Sequence, residues 1–289
     1  MGSGRTAEIF RMKDGRIIKL LMRSVTRQRA ERELLFVRRV AAVGLPVWQI
    51  EDLVCCEGRW GLVGERLPAK TTSLAKRLMR HPWEIDRWFQ GFVALHKQIN
   101  EAPGKGFPPL RRRLARRIRS SRLPKQEIQS SLKRLRALPD GDRLCHGDLH
   151  PANILLADGR LLAIDWASAG RGPRELDVAR TAFLLRFGTA PGVASSLLRP
   201  LASHYARLYQ ARRLEEEGMS SAAVTAWRLP IIAARLARRE DAERSYFTNL
   251  LLEEIARAEP LAAALPQSRP EKPRAAAIRS QSRKEASPP

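Results

Sequence analysis

Residues 144–156 read LCHGDLHPANILL. Within this stretch an aspartate, Asp148, is followed five residues later by an asparagine, Asn153, and then by an apolar run that predicts a short strand. A second short apolar run at 161–164 leads directly into Asp165. Mg²⁺ in nucleotide sites takes one or two oxygen ligands from protein and the rest from phosphates and water. Asn153 and Asp165 can supply such ligands, which leaves Asp148 free to accept a proton.

The order of these residues follows the protein-kinase template of His-x-Asp, an Asn five residues after that Asp, and a later metal-binding Asp. Residues 172–180 add a third element, GPRELDVAR. Taken together, the three elements resemble the aminoglycoside phosphotransferase family, which is related to choline and homoserine kinases, and the resemblance covers roughly residues 2–258. It implies an α+β, bilobal protein-kinase-like fold, with a small antiparallel β-sheet and one helix followed by a larger, mainly helical lobe. It also implies ATP and Mg²⁺ as cofactors.

The resemblance implies a role for each matched residue of the helical lobe. Asp148 matches the catalytic base, and Asn153 and Asp165 match the metal ligands. Asp177 matches a buried aspartate that accepts backbone N–H bonds from the catalytic loop. We interpret His146 as a structural residue that orients this loop.

In the small lobe, Lys19 stands on the second predicted strand, where the family has the lysine that pairs with the α- and β-phosphates. Glu33, in the helix that follows, fits the acid that positions this lysine, with Glu31 as the fallback. The segment between the lobes includes Glu65 and Leu67, and it matches the linker whose backbone holds the purine.

The first residues resemble a Gly-rich phosphate loop, in which Gly2 and Gly4 let backbone N–H groups approach phosphate oxygens. Two departures from the family occur here. Ala7 stands in place of the third glycine, and we expect the strand that precedes the loop to be missing.

The acceptor is expected to be a hydroxyl group of a small molecule. Asp177 follows Asp165 by twelve residues, and no Ala-Pro-Glu occurs between them. A peptide platform of the protein-kinase kind therefore has no room. A polycationic aminoglycoside would need an acidic pocket, which the acids of 215–217 and 240–243 could line, but the chain as a whole carries a net charge of +23. We therefore favour an unidentified hydroxylated metabolite, bound between the Asp148 loop and the helices after Gly192.

The positive charge is concentrated in residues 110–136, which hold eleven Lys or Arg and the single acid Glu127. We favour a solvated helix face for this segment. Binding to RNA or to an anionic membrane surface remains an alternative, although the segment has no interleaved aromatic residue for base stacking. The alternative function is therefore a non-catalytic kinase-like protein that binds an anionic partner through 110–136.

The domain boundaries predicted from composition are 1–66 for the small lobe, 67–265 for the helical lobe and 266–289 for a disordered basic tail. The chain has no apolar run long enough for a membrane span, and its three cysteines (Cys55, Cys56 and Cys145) fit no disulfide framework. Because charged residues interrupt the first twenty residues, we expect no secretory signal. A cytoplasmic protein is therefore expected. Among individual residues we expect Trp83 to pack in the core or an interface, His96 to be half-buried, and Trp166 to line the site.

Periodicity predicts the secondary structure. Strands are predicted at 7–12, 16–21, 48–54, 59–66, 154–156 and 161–164, and helices at 27–42, 73–79, 83–100, 110–120, 125–137, 175–186, 192–213, 220–236 and 240–257.

Overall fold

A computed structural model describes residues 2–3, 7–188, 193–237 and 246–256. Its first part is a five-stranded sheet in the order β1-β2-β3-β5-β4, in which every neighbouring pair is antiparallel. The central strand β3 places Lys19 opposite Ile9 of β2 and Leu62 of β5. The five strands are β1 (Gly2–Ser3), β2 (Ala7–Arg11), β3 (Ile17–Leu21), β4 (Ile50–Cys56) and β5 (Arg59–Gly64).

One helix, α1 (Arg27–Ala42), packs against this sheet. It begins where the Thr26 side chain accepts a hydrogen bond from the Arg29 N–H, and it is followed by Gly44 at φ 76°. The helix ends at the predicted residues. Its buried face runs through Ala30, Glu33, Phe36, Val37 and Val40, whereas Leu35 is exposed.

The edge of the sheet differs from expectation. The strand before the phosphate loop was expected to be missing, but the first two residues of the expected loop form a strand, in which Gly2 pairs with Ile9 and Ser3 with Glu8. Two residues are enough to form this strand, because they add to the edge of the β2–β3 hairpin. The start of the expected phosphate loop therefore lies in a strand, and Gly4 lies outside the described residues.

Helices dominate the rest of the chain, which confirms the α+β class. The long helix α3 ends in a buried segment that includes His96 and Asn100, and α6 packs along α7. The helices are α2 (Leu74–Arg80), α3 (Ile85–Glu101), α4 (Leu110–Arg119), α5 (Lys125–Ala137), α6 (Arg174–Phe187), α7 (Val193–Glu217), α8 (Ser221–Thr225), α9 (Arg228–Leu236) and α10 (246–256).

Two small sheets position the loop of residues 146–153. Strand β7 (Arg143–Cys145) enters the loop and pairs with β10 (Gly170–Gly172). The chain leaves the loop through a 3₁₀ turn, Pro151–Asn153, into β8 (Ile154–Ala157), which pairs with β9 (Arg160–Ala163) and with β6 (Thr72–Ser73). Asp165 follows β9 two residues after its end, so both ends of the predicted motif are fixed by strand pairing.

Two expectations in the helical part fail, namely the unbroken helix at 220–236 and the placement of Trp83 in the core. The single helix predicted at 220–236 is broken at Ala226 and Trp227, where the indole of Trp227 is buried. Trp83 does not pack in a core, because 75% of its surface is exposed. The tail predicted at 266–289 lies outside the described residues. None of the described helices is both long and apolar enough to cross a membrane.

Candidate active site

The loop after β7 is anchored by the carboxylate of Asp177, near the start of α6. Its two oxygens accept the backbone N–H groups of His146 at 2.8 Å and Gly147 at 2.9 Å. Burial alone would raise the pKa of Asp177, but His96 and the Gly147 N–H hold that pKa well below its ordinary range. An ionised aspartate in the core therefore fixes the loop that carries Asp148.

Asp177 is itself held by side chains of α3. The Nε2–H of His96 donates to it at 2.9 Å, and the Asn100 Nδ2 donates at 3.0 Å. The other imidazole nitrogen lies 2.6 Å from the Tyr209 hydroxyl of α7. The prediction that His96 is half-buried is wrong, because its side chain is wholly buried as part of this network.

Gly147 lets the loop turn sharply. Its φ is +74°, a region that residues with a Cβ rarely adopt, and a Cβ there would lie 2.4 Å from the carbonyl oxygen of Ser168. The Arg113 guanidinium donates to the same Ser168 carbonyl. The loop thus packs directly against the chain that follows Asp165.

Asp148 is the solvent-facing acid of this loop, with 31% of its side chain exposed. One carboxylate oxygen accepts a hydrogen bond from the Arg180 guanidinium at 3.2 Å. Burial opposes ionisation, but the positive groups around the carboxylate, Arg180 foremost, together lower the pKa of Asp148. Asp148 is therefore a carboxylate whose second oxygen is free of this ion pair.

Arg180 was not recognised as a site residue from sequence. Its guanidinium is buried and also donates to the Gly147 carbonyl. The available signal was its position three residues after Asp177, which puts both side chains on one face of α6. One helix turn therefore contacts two N–H groups, a carbonyl and a carboxylate of the same loop.

Asn153 lies half-buried at the other end of the loop. Its Nδ2 donates to the Asp148 carbonyl oxygen at 2.9 Å. With its N–H group so used, the side-chain oxygen is left as the acceptor. The amide therefore presents an oxygen ligand while closing the loop.

Asp165 meets Lys19 of the small sheet. Its backbone is left-handed, with φ 63°, and its carboxylate lies 3.4 Å from the Lys19 Nζ. The same Nζ lies 2.6 Å from the Glu33 carboxylate of α1. Burial would lower the pKa of Lys19, but these two carboxylates raise it, so the ammonium stays charged. Glu31, the fallback residue, is instead half-exposed and paired with Arg27.

His146 supports the loop from beneath. Its Nε2–H donates to the Ile164 carbonyl at 3.1 Å, and its ring packs 4.5 Å from that of Trp166. Burial lowers the pKa of His146 to about 4, so the imidazole is neutral. Trp166 was expected to line the site, but it is wholly buried under the loop.

In the linker, some of the backbone groups that a purine could bind already make hydrogen bonds within the protein. The Glu65 N–H donates to the Gln49 carbonyl, and its own carbonyl accepts the Trp48 Nε1–H at 3.2 Å. The Leu67 N–H makes no hydrogen bond with the described residues. A purine edge would therefore find the second lone pair of Glu65 and the N–H of Leu67.

A sequence model of the phosphotransferase enzyme family matches residues 2–214. This match covers well over half of the chain. The protein belongs to this family. No curated protein sequence matches the chain at a significant level.

Solved structures of the phosphotransferase family share the fold. A thermostable mutant of aminoglycoside phosphotransferase APH(4)-Ia superposes with a TM-score of 0.62 at 16% identity, covering 92% of this chain and 94% of that one. Choline kinase LicA from Streptococcus pneumoniae gives 0.58 at 14% identity, over 89% and 92%. Amicoumacin kinase hAmiN gives 0.56 at 14% identity, over 88% and 84%. These matches confirm the bilobal kinase-like fold.

The donor chemistry of this phosphotransferase fits a divalent cation held jointly with phosphates. Asn153 and Asp165 present an amide oxygen and a carboxylate, both hard ligands that suit Mg²⁺. Within the described residues no group of three or more His, Cys, Asp or Glu side chains could hold a metal by itself. Mg²⁺ needs no such group, because it keeps waters and substrate phosphates as its remaining ligands.

Two arginines of the basic segment serve the fold. Arg111 donates to the Leu135 carbonyl at 2.8 Å and to the Leu138 carbonyl, which caps the end of α5, and Arg113 holds Ser168. Arg112, Arg116 and Arg119 are exposed along one face of α4. Part of the charge is therefore structural and part faces solvent.

Proposed function

We propose that this protein transfers the γ-phosphate of ATP to a hydroxyl group of a small molecule. The observation that carries the proposal is the meeting of Lys19, Glu33 and Asp165. The Lys19 Nζ lies 2.6 Å from one carboxylate and 3.4 Å from the other. A strand lysine, a helix glutamate and a carboxylate after the catalytic loop form the arrangement that phosphoryl transfer in kinases requires.

In this proposal Lys19 binds the α- and β-phosphates of ATP, and Glu33 keeps its ammonium in place. Asn153 and Asp165 would hold Mg²⁺, which supplies positive charge to the phosphates. The carbonyl of Glu65 and the N–H of Leu67 would contact the purine. Gly2 and Gly4 are proposed to lie near the phosphates.

Asp148 acts on the acceptor. It orients the acceptor hydroxyl and accepts its proton as the hydroxyl oxygen attacks the γ-phosphorus. The ion pair with Arg180 fixes one carboxylate oxygen and keeps the group ionised, which leaves the other oxygen for the proton. Asp177 and His146 contribute by holding the loop, and catalysis comes mainly from positioning.

The acceptor is proposed to be a small hydroxylated metabolite. Support comes from the family match and from the chain's short connection between Asp165 and Asp177. The related structures contain unlike compounds: APH(4)-Ia was solved with hygromycin B, and hAmiN with its ligand Ami and the ATP analogue AMP-PNP. The family therefore supports a small acceptor without fixing its class.

The experiment is titration calorimetry of Mg²⁺ and ATP with wild type, Asp165→Asn and Asp158→Asn. Asp158 is a matched control, because it is an exposed aspartate with a left-handed backbone (φ 47°) in the β8–β9 turn. Asn tolerates this backbone well, so both variants should fold. We expect Mg²⁺-dependent binding in wild type and Asp158→Asn, weakened at least tenfold in Asp165→Asn. Equal binding by all three proteins would overturn the proposed metal site, and a wild type that does not bind would overturn the function.

A further inference from the structure

An apolar cavity lies beside the catalytic loop, between α2, α3, α6 and α7. Its volume is about 100 Å³, and its wall includes Leu74, Leu78, Trp88, Phe89, Pro151 and Tyr205. The Phe89 and Tyr205 rings, 5.7 Å apart, join α3 to α7 across it. The Trp88 indole N–H is already donated to Glu84 at 2.9 Å. The wall therefore presents aliphatic and aromatic surface.

Pro151 connects this cavity to the proposed chemistry. It opens the 3₁₀ turn Pro151–Asn153, three residues after Asp148, and Asn153 ends that turn. Helix α2, which supplies Leu74 and Leu78, packs on the same turn. A molecule in the cavity would thus touch the segment that carries both the proposed base and a proposed metal ligand.

Exposed apolar side chains are neighbours in sequence of three residues of the cavity wall. Met79 is 82% exposed and follows Leu78, and Trp83 is 75% exposed and lies two residues before the wall residue Ile85. Across the cavity Leu201 is 48% exposed beside the wall residue Ala202. Apolar surface exposed in this way next to a concave site marks ligand binding.

We infer that the acceptor alcohol carries an apolar arm, and that this cavity holds the arm while the hydroxyl lies at Asp148. The inference rests on the proposed phosphotransfer and adds the acceptor's chemical class. An apolar cavity of ~150 Å³ can hold benzene, so this one takes an arm of a few carbon atoms.

A purely polar or polycationic acceptor does not fit this wall, because its charged groups would lose water without gaining partners. A separate groove between α3 and α7, lined in part by Asp86, Arg212 and Glu216, has the polar character that such a molecule needs. The apolar wall at Pro151 is the one that adjoins the loop. Because the apolar cavity adjoins the loop and the polar groove does not, the site selects acceptors that carry an apolar arm.

The test compares methyl β-D-glucoside with n-hexyl β-D-glucoside, which share their hydroxyl groups and differ in the apolar arm. Binding to the full chain is followed by NMR saturation transfer. Each methylene that enters the cavity strengthens binding by about fourfold. We expect wild type to bind the hexyl glucoside at least tenfold more tightly than the methyl glucoside.

Two variants localise the effect. Ala202→Leu fills the cavity from α7, whereas Ala211→Leu makes the same change at an exposed position of the same helix. We expect Ala202→Leu to weaken hexyl glucoside binding at least tenfold and Ala211→Leu to leave it unchanged. Ala202→Leu that binds the hexyl glucoside as tightly as wild type would overturn the inference, as would equal affinity of wild type for the two glucosides.

Binding of Mg²⁺ and ATP, measured in the same samples, separates this inference from the proposed function. If the nucleotide binds and the two glucosides bind alike, the inference alone is wrong. If the hexyl glucoside binds in a manner that Ala202→Leu abolishes and the nucleotide does not bind, the proposed phosphotransfer is wrong. Nucleotide affinity that Ala202→Leu leaves unchanged shows that this variant is folded.

Discussion

At the scale of single residues, the candidate site depends on how one acid is held. Asp148 has one carboxylate oxygen 3.2 Å from Arg180, and Arg180 also binds the Gly147 carbonyl. The same guanidinium therefore orients the carboxylate and makes the largest single contribution towards its ionisation. A base held in this way is available for proton transfer at lower pH than an unpaired aspartate.

Removing the Arg180 charge should raise the pKa of Asp148. The acidic limb of the kcat/KM profile in Arg180→Met is therefore expected at higher pH than in wild type, with activity at neutral pH lower by about tenfold to a hundredfold through lost positioning. Arg180→Lys, which keeps the charge, should hold the acidic limb near its wild-type pH. Arg186→Met, an exposed change on α6, is the control. An acidic limb that stays in place in Arg180→Met would show that Arg180 is only structural.

His146 should make the protein sensitive to acid. Its pKa is lowered by burial to about 4, below the ordinary 6.5, so the unfolded chain binds this proton first. Stability is therefore full above pH 6.5 and falls as the pH drops from 6.5 towards 4, by about 3 kcal/mol for this group. His146→Asn should show a shallower loss over that range in urea unfolding. Parallel pH curves for the two proteins would contradict this assignment.

At the scale of elements, α6 is the organiser of the site. Within two turns of its start it supplies Asp177 to the loop N–H groups and Arg180 to the loop carbonyl and carboxylate. Its neighbours α3 and α7 complete the support through His96 and Tyr209. Residues distant in sequence thus converge on a loop of eight residues, 146–153.

Two adjacent arginines of the basic helix α4 have different roles. Arg111 caps the carbonyls at the end of α5, whereas Arg112 is exposed. Arg111→Met should lower the free energy of unfolding by about 1.5–3 kcal/mol, because buried carbonyls lose a charged donor. Arg112→Met should change it by less than about 0.5 kcal/mol. Urea unfolding of both variants measures the difference, and equal effects would show that Arg111 does not cap α5.

Local sequence patterns predicted the helices and strands that are long enough to show hydrophobic periodicity. Helices α1 and α5 end where the sequence places them, because caps or apolar spacing mark their ends. Strands β7 and β10 have three residues each and show no alternation, so they were missed. The site motif was readable because its residues are close in sequence. The contact of His96 with Asp177 was missed because tertiary packing alone creates it, whereas Arg180 could have been found from its place one helix turn after Asp177.

At the scale of the whole molecule, the two parts meet through Lys19. The sheet supplies the lysine and the segment after β9 supplies Asp165, with 3.4 Å between their charged atoms. Nucleotide phosphates bound at that point would contact both parts. The net charge of +23 favours binding of an anionic nucleotide and disfavours binding of a polycationic acceptor. The apolar cavity beside Pro151 also disfavours a polycationic acceptor.

The central claim is phosphoryl transfer to a hydroxyl, and the most direct measurement is ³¹P NMR of ATP, Mg²⁺ and a panel of hydroxylated acceptors with wild type and Asp148→Asn. We expect wild type to form ADP and a new phosphomonoester signal from at least one acceptor. Asp148→Asn should bind ATP and form the ester at least a hundredfold more slowly, because the proton acceptor is lost. A wild type that binds ATP and forms no ester, or an Asp148→Asn variant that forms it at the wild-type rate, would contradict the account.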